Sequence, residues 1–381
     1  MLATAPDKAM WSRRNPFPAT LLRKVLLSPP SEPRAKYHYE LSLSGSELSY
    51  QPGDSLAIVP ENDPVLVDAL LARLGMRGSE EAASFDLRTV LQRAVTITKP
   101  SRKLLSAIAA HLPPGSPLPG YLESGSDAAL SEYLAGRDVL DLVAEHPQFF
   151  AEMTANEFVA LLPKLQPRLY SFASSMRVHG GVAHLFVSSV EYECLGRLRK
   201  GVCTSHLAER VALFATVPVF VHAALHFHLP AESEAAVIMI GAGTGVAPFR
   251  AFLEERAARG SAGKSWLFFG QRHRATGFYY RDDWLDFLRT GVLTQLDTAF
   301  SHDQPERIYV QHRMLEHAPE LWTWLRDGAH VYLCGDALML APAVDAALEQ
   351  IAAHCGHLSP REAAAFVQTL REKKRYHRDA Y

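Results

Sequence analysis

Cysteine is scarce and scattered. The 381-residue chain has four, Cys194, Cys203, Cys334 and Cys355, and none forms a CxxC pair. That leaves no basis for a cysteine zinc site or a disulfide framework, so no metal is expected, and it fits a reduced, cytoplasmic setting. Long apolar runs are missing too. None reaches the roughly 18 residues that a membrane helix needs, and the opening MLATAPDKAMWSRRNP lacks the apolar stretch of a secretory leader. Charge of one sign is also lacking. The formal net charge is −2, which gives no support to a nucleic-acid or membrane-surface role. There are no internal repeats and no low-complexity tract. What is present in quantity is apolar residue, 48% of the chain, enough for a large core, in a length that allows two or three domains.

The texture changes twice along the chain. Residues 19–28, 37–43 and 55–60 are short, apolar or alternating segments punctuated by Ser28-Pro29-Pro30 and Gln51-Pro52-Gly53-Asp54, and they read as strands. From Asp63 to about Leu162 the spacing is helical. VLVDALLARLG repeats apolar residues three and four apart and stops at Gly75, while PPGSPLPG at 113–120 reads as a loop. Strands return at 168–174, 183–190 and 217–222. The pattern predicts an antiparallel β-barrel interrupted by a helical insertion. After about residue 232, strand and helix alternate, which predicts a parallel sheet with crossover helices. The expected fold is multidomain: a barrel from 15–62 and 163–232, a helical connecting domain at 63–162, and an α/β domain at 233–381.

The strongest local signal lies where Val237-Ile-Met-Ile runs into Gly241-Ala-Gly243-Thr244-Gly245-Val-Ala-Pro248. Three glycines between a buried-type strand and a helix let backbone N–H groups approach a diphosphate, and the helix N-terminus favours the anion. Pro248 suits a first helical turn. The spacing GxGxGxxP is neither the dinucleotide fingerprint GxGxxG nor the P-loop.

Four further segments occur in a telling order: Arg168-Leu-Tyr170-Ser171, Gly201-Val202-Cys203-Thr204-Ser205, Tyr332-Leu-Cys334-Gly335-Asp336, and Arg375-Tyr-His-Arg-Asp379-Ala-Tyr381. Together with the glycine turn they resemble the ferredoxin–NADP reductase module of the diflavin reductases. That family includes the sulfite reductase flavoprotein and the NADPH–cytochrome reductases. GKSWLFFG, ELWTWLRDGAHVYLCGDA and RYHRDAY are most similar to the sulfite reductase flavoprotein α-component. The resemblance runs from about Asn15 to Tyr381. An N-terminal FMN-binding flavodoxin domain, usual in the family, has no counterpart among the roughly 14 residues before Asn15. The chain is therefore expected to be the FAD/NADPH half alone.

The resemblance assigns roles. Arg168 pairs with the FAD diphosphate through its planar guanidinium, Tyr170 stacks on the isoalloxazine, and Ser171 hydrogen-bonds near flavin N5. Gly201, Val202, Cys203 and Thr204 begin a helix that holds the same diphosphate, with Thr204 or Ser205 as the candidate N-cap. Tyr192, after Glu191, belongs to the segment that meets the adenine end. Gly243, Thr244 and Gly245 take the NADPH diphosphate. Cys334, Asp379 and Ser171 form the hydride-transfer group, with Asp336 following Cys334. Tyr381 covers the flavin face and moves aside for nicotinamide. Ser301, Arg307, Tyr309 and Gln311, with Arg272 as a further cation, hold the 2′-phosphate and adenine. His302 stands where the family usually has arginine, which predicts weaker discrimination against NADH.

The implied activity is hydride transfer from NADPH to FAD, with electrons passed to a redox protein. By resemblance that acceptor is the sulfite reductase hemoprotein, reached directly or through a separate flavodoxin or FMN protein. A general NADPH–hemoprotein or flavodoxin reductase is the alternative within the class. A non-catalytic flavin-binding subunit is the alternative outside it, and it predicts degraded hydride-transfer positions.

Overall fold

The computed structural model describes residues 11–30, 32, 34–113, 115–123 and 127–381. The opening residues 1–10, part of the segment read above as having no leader, lie outside the described residues. The chain forms two compact units. One takes the residues up to Ala57, Leu169–Ser188 and Leu213–Tyr381; the other takes Ile58–Arg168 and Ser189–Ala212.

The first unit holds two sheets. Its antiparallel sheet runs in the order Arg168–Ser171, Ser55–Ile58, Thr216–His222, Phe17–Leu26, Lys36–Ser42 and Val182–Ser188. Strand alternation sets its inner face: Ala19, Leu21, Tyr39, Leu41, Ala183 and Leu185 are fully buried. The opposite face of the last two strands carries His38, Glu40, His184 and Phe186. Lys36 pairs with Ser188, and the register continues to Ser42 opposite Val182. An isolated bridge joins Phe172 to Leu185.

The second sheet is parallel, with five strands ordered Gln295–Phe300, Ser265–Gln271, Val237–Ala242, His330–Gly335 and Tyr376–Ala380. Ile238 and Ile240 face one apolar cluster while Val237 and Met239 face another. Both faces are therefore covered, which is why VIMI, WLFF and VYLC read as continuous apolar runs. The strand that comes first in this part of the chain lies in the middle, so the connections reverse direction between Val237–Ala242 and His330–Gly335. Open α/β sheets bind ligands outside the carboxyl ends of their strands at such a switch point.

The second unit is mainly helical. Pro64–Leu74 starts at Asp63, whose carboxylate accepts from Val65 N–H, and ends at Gly75 in the left-handed region, φ +69°. Reciprocal capping pairs open Val139–Glu145 (Asp138 with Asp141) and Ala155–Ala160 (Thr154 with Glu157). Val67, Leu70, Leu104, Leu105, Ile108, Leu142 and Phe158 share one core. Leu118 is buried on a short helix, Pro117–Glu123. This corrects the loop reading of residues 117–120: Pro117 begins the helix, where its missing N–H costs little, and burial of Leu118 holds it. The unit also contains the hairpin Glu191–Cys194 with Arg197–Lys200. Arg199 reaches both Asp138 and Asp141 at 2.6 and 2.8 Å, and Arg197 reaches the same pair. Among the described residues no helix is long and apolar enough to cross a membrane.

Candidate active site

Every strand of the parallel sheet delivers candidate residues at its carboxyl end. In sheet order these are Ser301-His302, Arg272, Gly243-Thr244-Gly245, Cys334-Gly335-Asp336 and Asp379-Ala380-Tyr381. Residues that are far apart in the sequence thus line one edge.

At the switch point the glycines are needed for contact. A Cβ on Gly245 would lie 2.2 Å from the Cys334 carbonyl oxygen, and Gly243 has φ +59°, a conformation glycine adopts at little cost. No side chain caps the turn Gly243–Val246 or the following 13-residue helix Ala247–Arg259. The residues fit a dinucleotide phosphate: a close-set backbone turn at an uncapped helix start.

Cys334 and Asp379 are direct neighbours in register. The Ser171 hydroxyl donates to Asp379 Oδ2 at 3.1 Å, and the Cys334 thiol lies 3.9 Å from the same oxygen. Burial, then the adjacent Asp379 carboxylate, pushes the Cys334 thiol well above its ordinary value, so it stays protonated and can donate. Tyr381 is two-thirds exposed. Its backbone bonds Gly335 and Ala337, and its hydroxyl lies 3.1 Å from that of Thr244. The Asp336 carboxylate accepts from Leu338 and Met339 N–H, so it shapes the turn that leads into Leu340–Gly356.

At the other edge Ser301 is buried, with its hydroxyl 2.9 Å from His302 Nδ1; backbone bonds to Gln271 and Arg272 fix both residues. The His302 imidazole titrates below its ordinary value through partial desolvation and then the positive charges of Arg307, Arg272 and His273. The Arg307 and Arg272 charges therefore both act on this imidazole. Tyr309 is half-exposed just before the helix Val310–Glu316, which carries Gln311.

The flavin candidates fall in different places. Tyr170 and Ser171 end a strand of the antiparallel sheet. The Arg168 guanidinium donates to the Gln166 carbonyl at 2.7 Å. In the second unit, Tyr192 is half-exposed on the hairpin. The helix there, Val202–Ser205, is capped by Gly201 and not by Thr204 or Ser205. The hydroxyls of both residues bond back to the Gly201 carbonyl, as suits residues inside a first turn, and a Cβ at 201 would meet Thr204 Oγ1 at 2.6 Å. Buried nitrogens of Arg199, His206 and Arg210, near this turn in sequence, have no hydrogen-bond partner among the described residues. Sequence reading gave no role to Arg250. Its guanidinium donates to the Ala173 carbonyl and pairs with Glu254 and Asp283, tying the segment after Ser171 to the helix after the glycine turn.

Fold and site define a two-domain oxidoreductase module that joins a flavin-type sheet to a nucleotide-binding parallel sheet. The comparisons agree. Residues 9–206 match the FAD binding domain family, and residues 239–345 match the oxidoreductase NAD-binding domain. The chain belongs to the FAD binding domain family. It is 42% identical to the sulfite reductase [NADPH] flavoprotein alpha-component of Bacillus subtilis, over 100% of this chain and 63% of that protein. Proteins of the same name from Aliivibrio fischeri and Neisseria meningitidis are each 40% identical, over 99% and 100% of this chain and 62% of their own length. The chain thus spans a little over three-fifths of the length of these relatives.

Proposed function

We propose that this chain is the FAD/NADPH part of an NADPH-dependent flavoprotein oxidoreductase. In this reading it takes a hydride from NADPH and sends electrons to a redox protein in sulfite reduction. The observation that carries the reading is the convergence of Ser171 and Cys334 on one Asp379 carboxylate oxygen beside the glycine turn. Hydride transfer depends on close, fixed donor–acceptor geometry more than on a strong base, and three side chains locked across two sheets supply a fixed frame. Bound FAD supplies a carrier that accepts a hydride and releases electrons singly or in pairs.

Arg168, Tyr170 and Ser171, with Gly201 to Thr204 and Tyr192, hold the flavin. Gly243 to Gly245 hold the NADPH diphosphate, and Arg272, Arg307, Ser301, His302, Tyr309 and Gln311 hold its 2′-phosphate and adenine. Asp336 keeps the turn after Cys334 in shape. The finer fold belongs to the same reading: a barrel with a helical connecting insertion, divided as expected from sequence. The Phe172–Leu185 bridge, which draws the two outermost strands of the antiparallel sheet together, supports the barrel. The separate apolar core of the helices between Pro64 and Ala160 supports the insertion. The proposed partner is a sulfite reductase hemoprotein, met directly or through a separate flavodoxin or FMN protein in the cytoplasm.

The test is an anaerobic visible spectrum of the purified protein with NADPH and, separately, NADH. Bleaching of a flavin spectrum, faster with NADPH, is expected. Equal bleaching by NADH removes the NADPH preference. A protein that stays colourless after FAD is added sinks the reading.

A further inference from the structure

On the face of the antiparallel sheet opposite its inner one, three metal-ligating side chains stand together. His38 and Glu40 are two apart on one strand and so share a face. His184 lies directly opposite Glu40 on the neighbouring strand. The donor atoms of the three all lie within 4.8 Å of one another. No spacing in the sequence marks this group, because His184 comes 144 positions after Glu40 and only strand pairing brings them together.

The nitrogens are arranged as a metal would need them. His38 Nδ1 is 2.8 Å from the Tyr280 hydroxyl, which leaves Nε2 as the ligating atom, and Nε2 is the atom 3.4 Å from Glu40 Oε1. A ring nitrogen fixed by an outer hydrogen bond while the other faces the ion is the usual arrangement of histidine ligands. His184 is more than nine-tenths buried, and its Nδ1 has no partner among the described residues. A buried polar nitrogen left unpaired is costly unless something occupies it.

We infer that His38, Glu40 and His184 form a binding site for a late divalent transition ion such as Zn²⁺, with a fourth position left for water. Two imidazoles and one carboxylate are a recognised ligand set for this ion. The neighbouring cations do not forbid it. Arg250 is already committed to Glu254 and Asp283. Arg23, which pairs with Glu40 at 3.1 Å, is mostly exposed and free to swing into water. A bound ion would cross-link two strands and, through Tyr280, the helix Arg281–Thr290 that follows it.

The test is equilibrium dialysis of the flavin-loaded full chain against Zn²⁺, with metal content measured by atomic absorption. Wild type is compared with Glu40→Gln and His184→Gln, and thermal melting is followed with and without the ion. The chain has 17 histidines, so weak background binding is common to all three proteins. Wild type is expected to hold about one ion per chain more than either variant, and only wild type should melt higher with Zn²⁺. Glu40 is partly exposed, so Glu40→Gln decides the matter if His184→Gln does not fold. Equal metal content in wild type and Glu40→Gln, or a Zn²⁺-dependent rise in melting temperature that persists in Glu40→Gln, overturns the site.

Discussion

The two outer parts of the five-stranded parallel sheet carry candidate residues of opposite character. Around His330–Gly335 and Tyr376–Ala380 the groups are bonded to one another: Ser171 and Cys334, half-buried and buried, to Asp379, and the exposed Tyr381 to Thr244. Around Ser265–Gln271 and Gln295–Phe300 they are mostly exposed: the Arg272 and Arg307 charges both act on His302, whose backbone N–H donates to the Arg272 carbonyl. The difference follows from what each end is proposed to do. Positioning a reacting carbon requires a frame that does not reorganise. Recognising a phosphate requires donors that can close on it, and exposure keeps them hydrated until it arrives. Changes at the locked end should therefore appear in rate, and changes at the open end in affinity.

The largest effect is expected at Asp379. Asp379→Ala removes the acceptor shared by Ser171 and Cys334, and flavin reduction by NADPH in anaerobic stopped flow should slow by about 100-fold, the scale that misplaced reacting groups produce. KM should change little. A rate within twofold of wild type would mean that the locked end is only structural, and the contrast between the two ends would collapse.

At the open end, Arg307→Ala and Arg272→Ala should each raise KM for NADPH by about tenfold, the loss of one charge-assisted pair, with kcat and the NADH kinetics nearly unchanged. His302→Arg should act in reverse, lowering KM for NADPH several-fold, since His302 titrates below its ordinary value and is neutral at pH 7. Equal effects on NADH and NADPH would remove this cluster from 2′-phosphate recognition.

How much of this was legible before the structure depended on range. The strand Val237–Ala242, its glycines and the helix Ala247–Arg259 are contiguous, and the apolar run, the turn and Pro248 mark them in order. The proposed hydride-transfer group could be named only through family resemblance, because Cys334 and Asp379 meet through register between distant strands and Ser171 reaches Asp379 from the other sheet. That Tyr376–Ala380 is itself a strand of the parallel sheet was not legible: RYHRDAY is polar, and it pairs as an edge strand beside Cys334. The cap at Gly201 was misread for a local reason. Thr and Ser are strong caps, but here they sit one turn inside and bond backwards. Arg250, His38 and His184 gave no signal, since their partners lie on other strands and helices.

The thiol supplies a pH test of the locked end. The ordinary thiol value is 9.0, and burial followed by the Asp379 charge raises that of Cys334. The rate of flavin reduction should therefore show no inflection from this group between pH 7 and 9. Stability has the matching sign. The folded chain keeps a proton that the unfolded chain releases near 9, so this group's contribution is complete below pH 9 and is lost as pH rises toward the raised folded value. Loss of a rate step near pH 8.5 in Cys334→Ala would show that the thiol ionises in the native site, and that the end is less closed than its burial implies.

The smallest effect belongs to Thr244→Val. One hydroxyl–hydroxyl bond at 3.1 Å holds Tyr381 from the side, while the backbone bonds to Gly335 and Ala337 hold it from the main chain. A single hydrogen bond contributes about 1 kcal/mol, and less where water competes for a ring that is two-thirds exposed. If Tyr381 must yield before nicotinamide can enter, loosening it should lower KM by about twofold and leave the bound-state rate intact. A fall in rate instead would place Thr244 in the rigid frame with Asp379, and the locked region would then extend from the last strand back to the glycine turn.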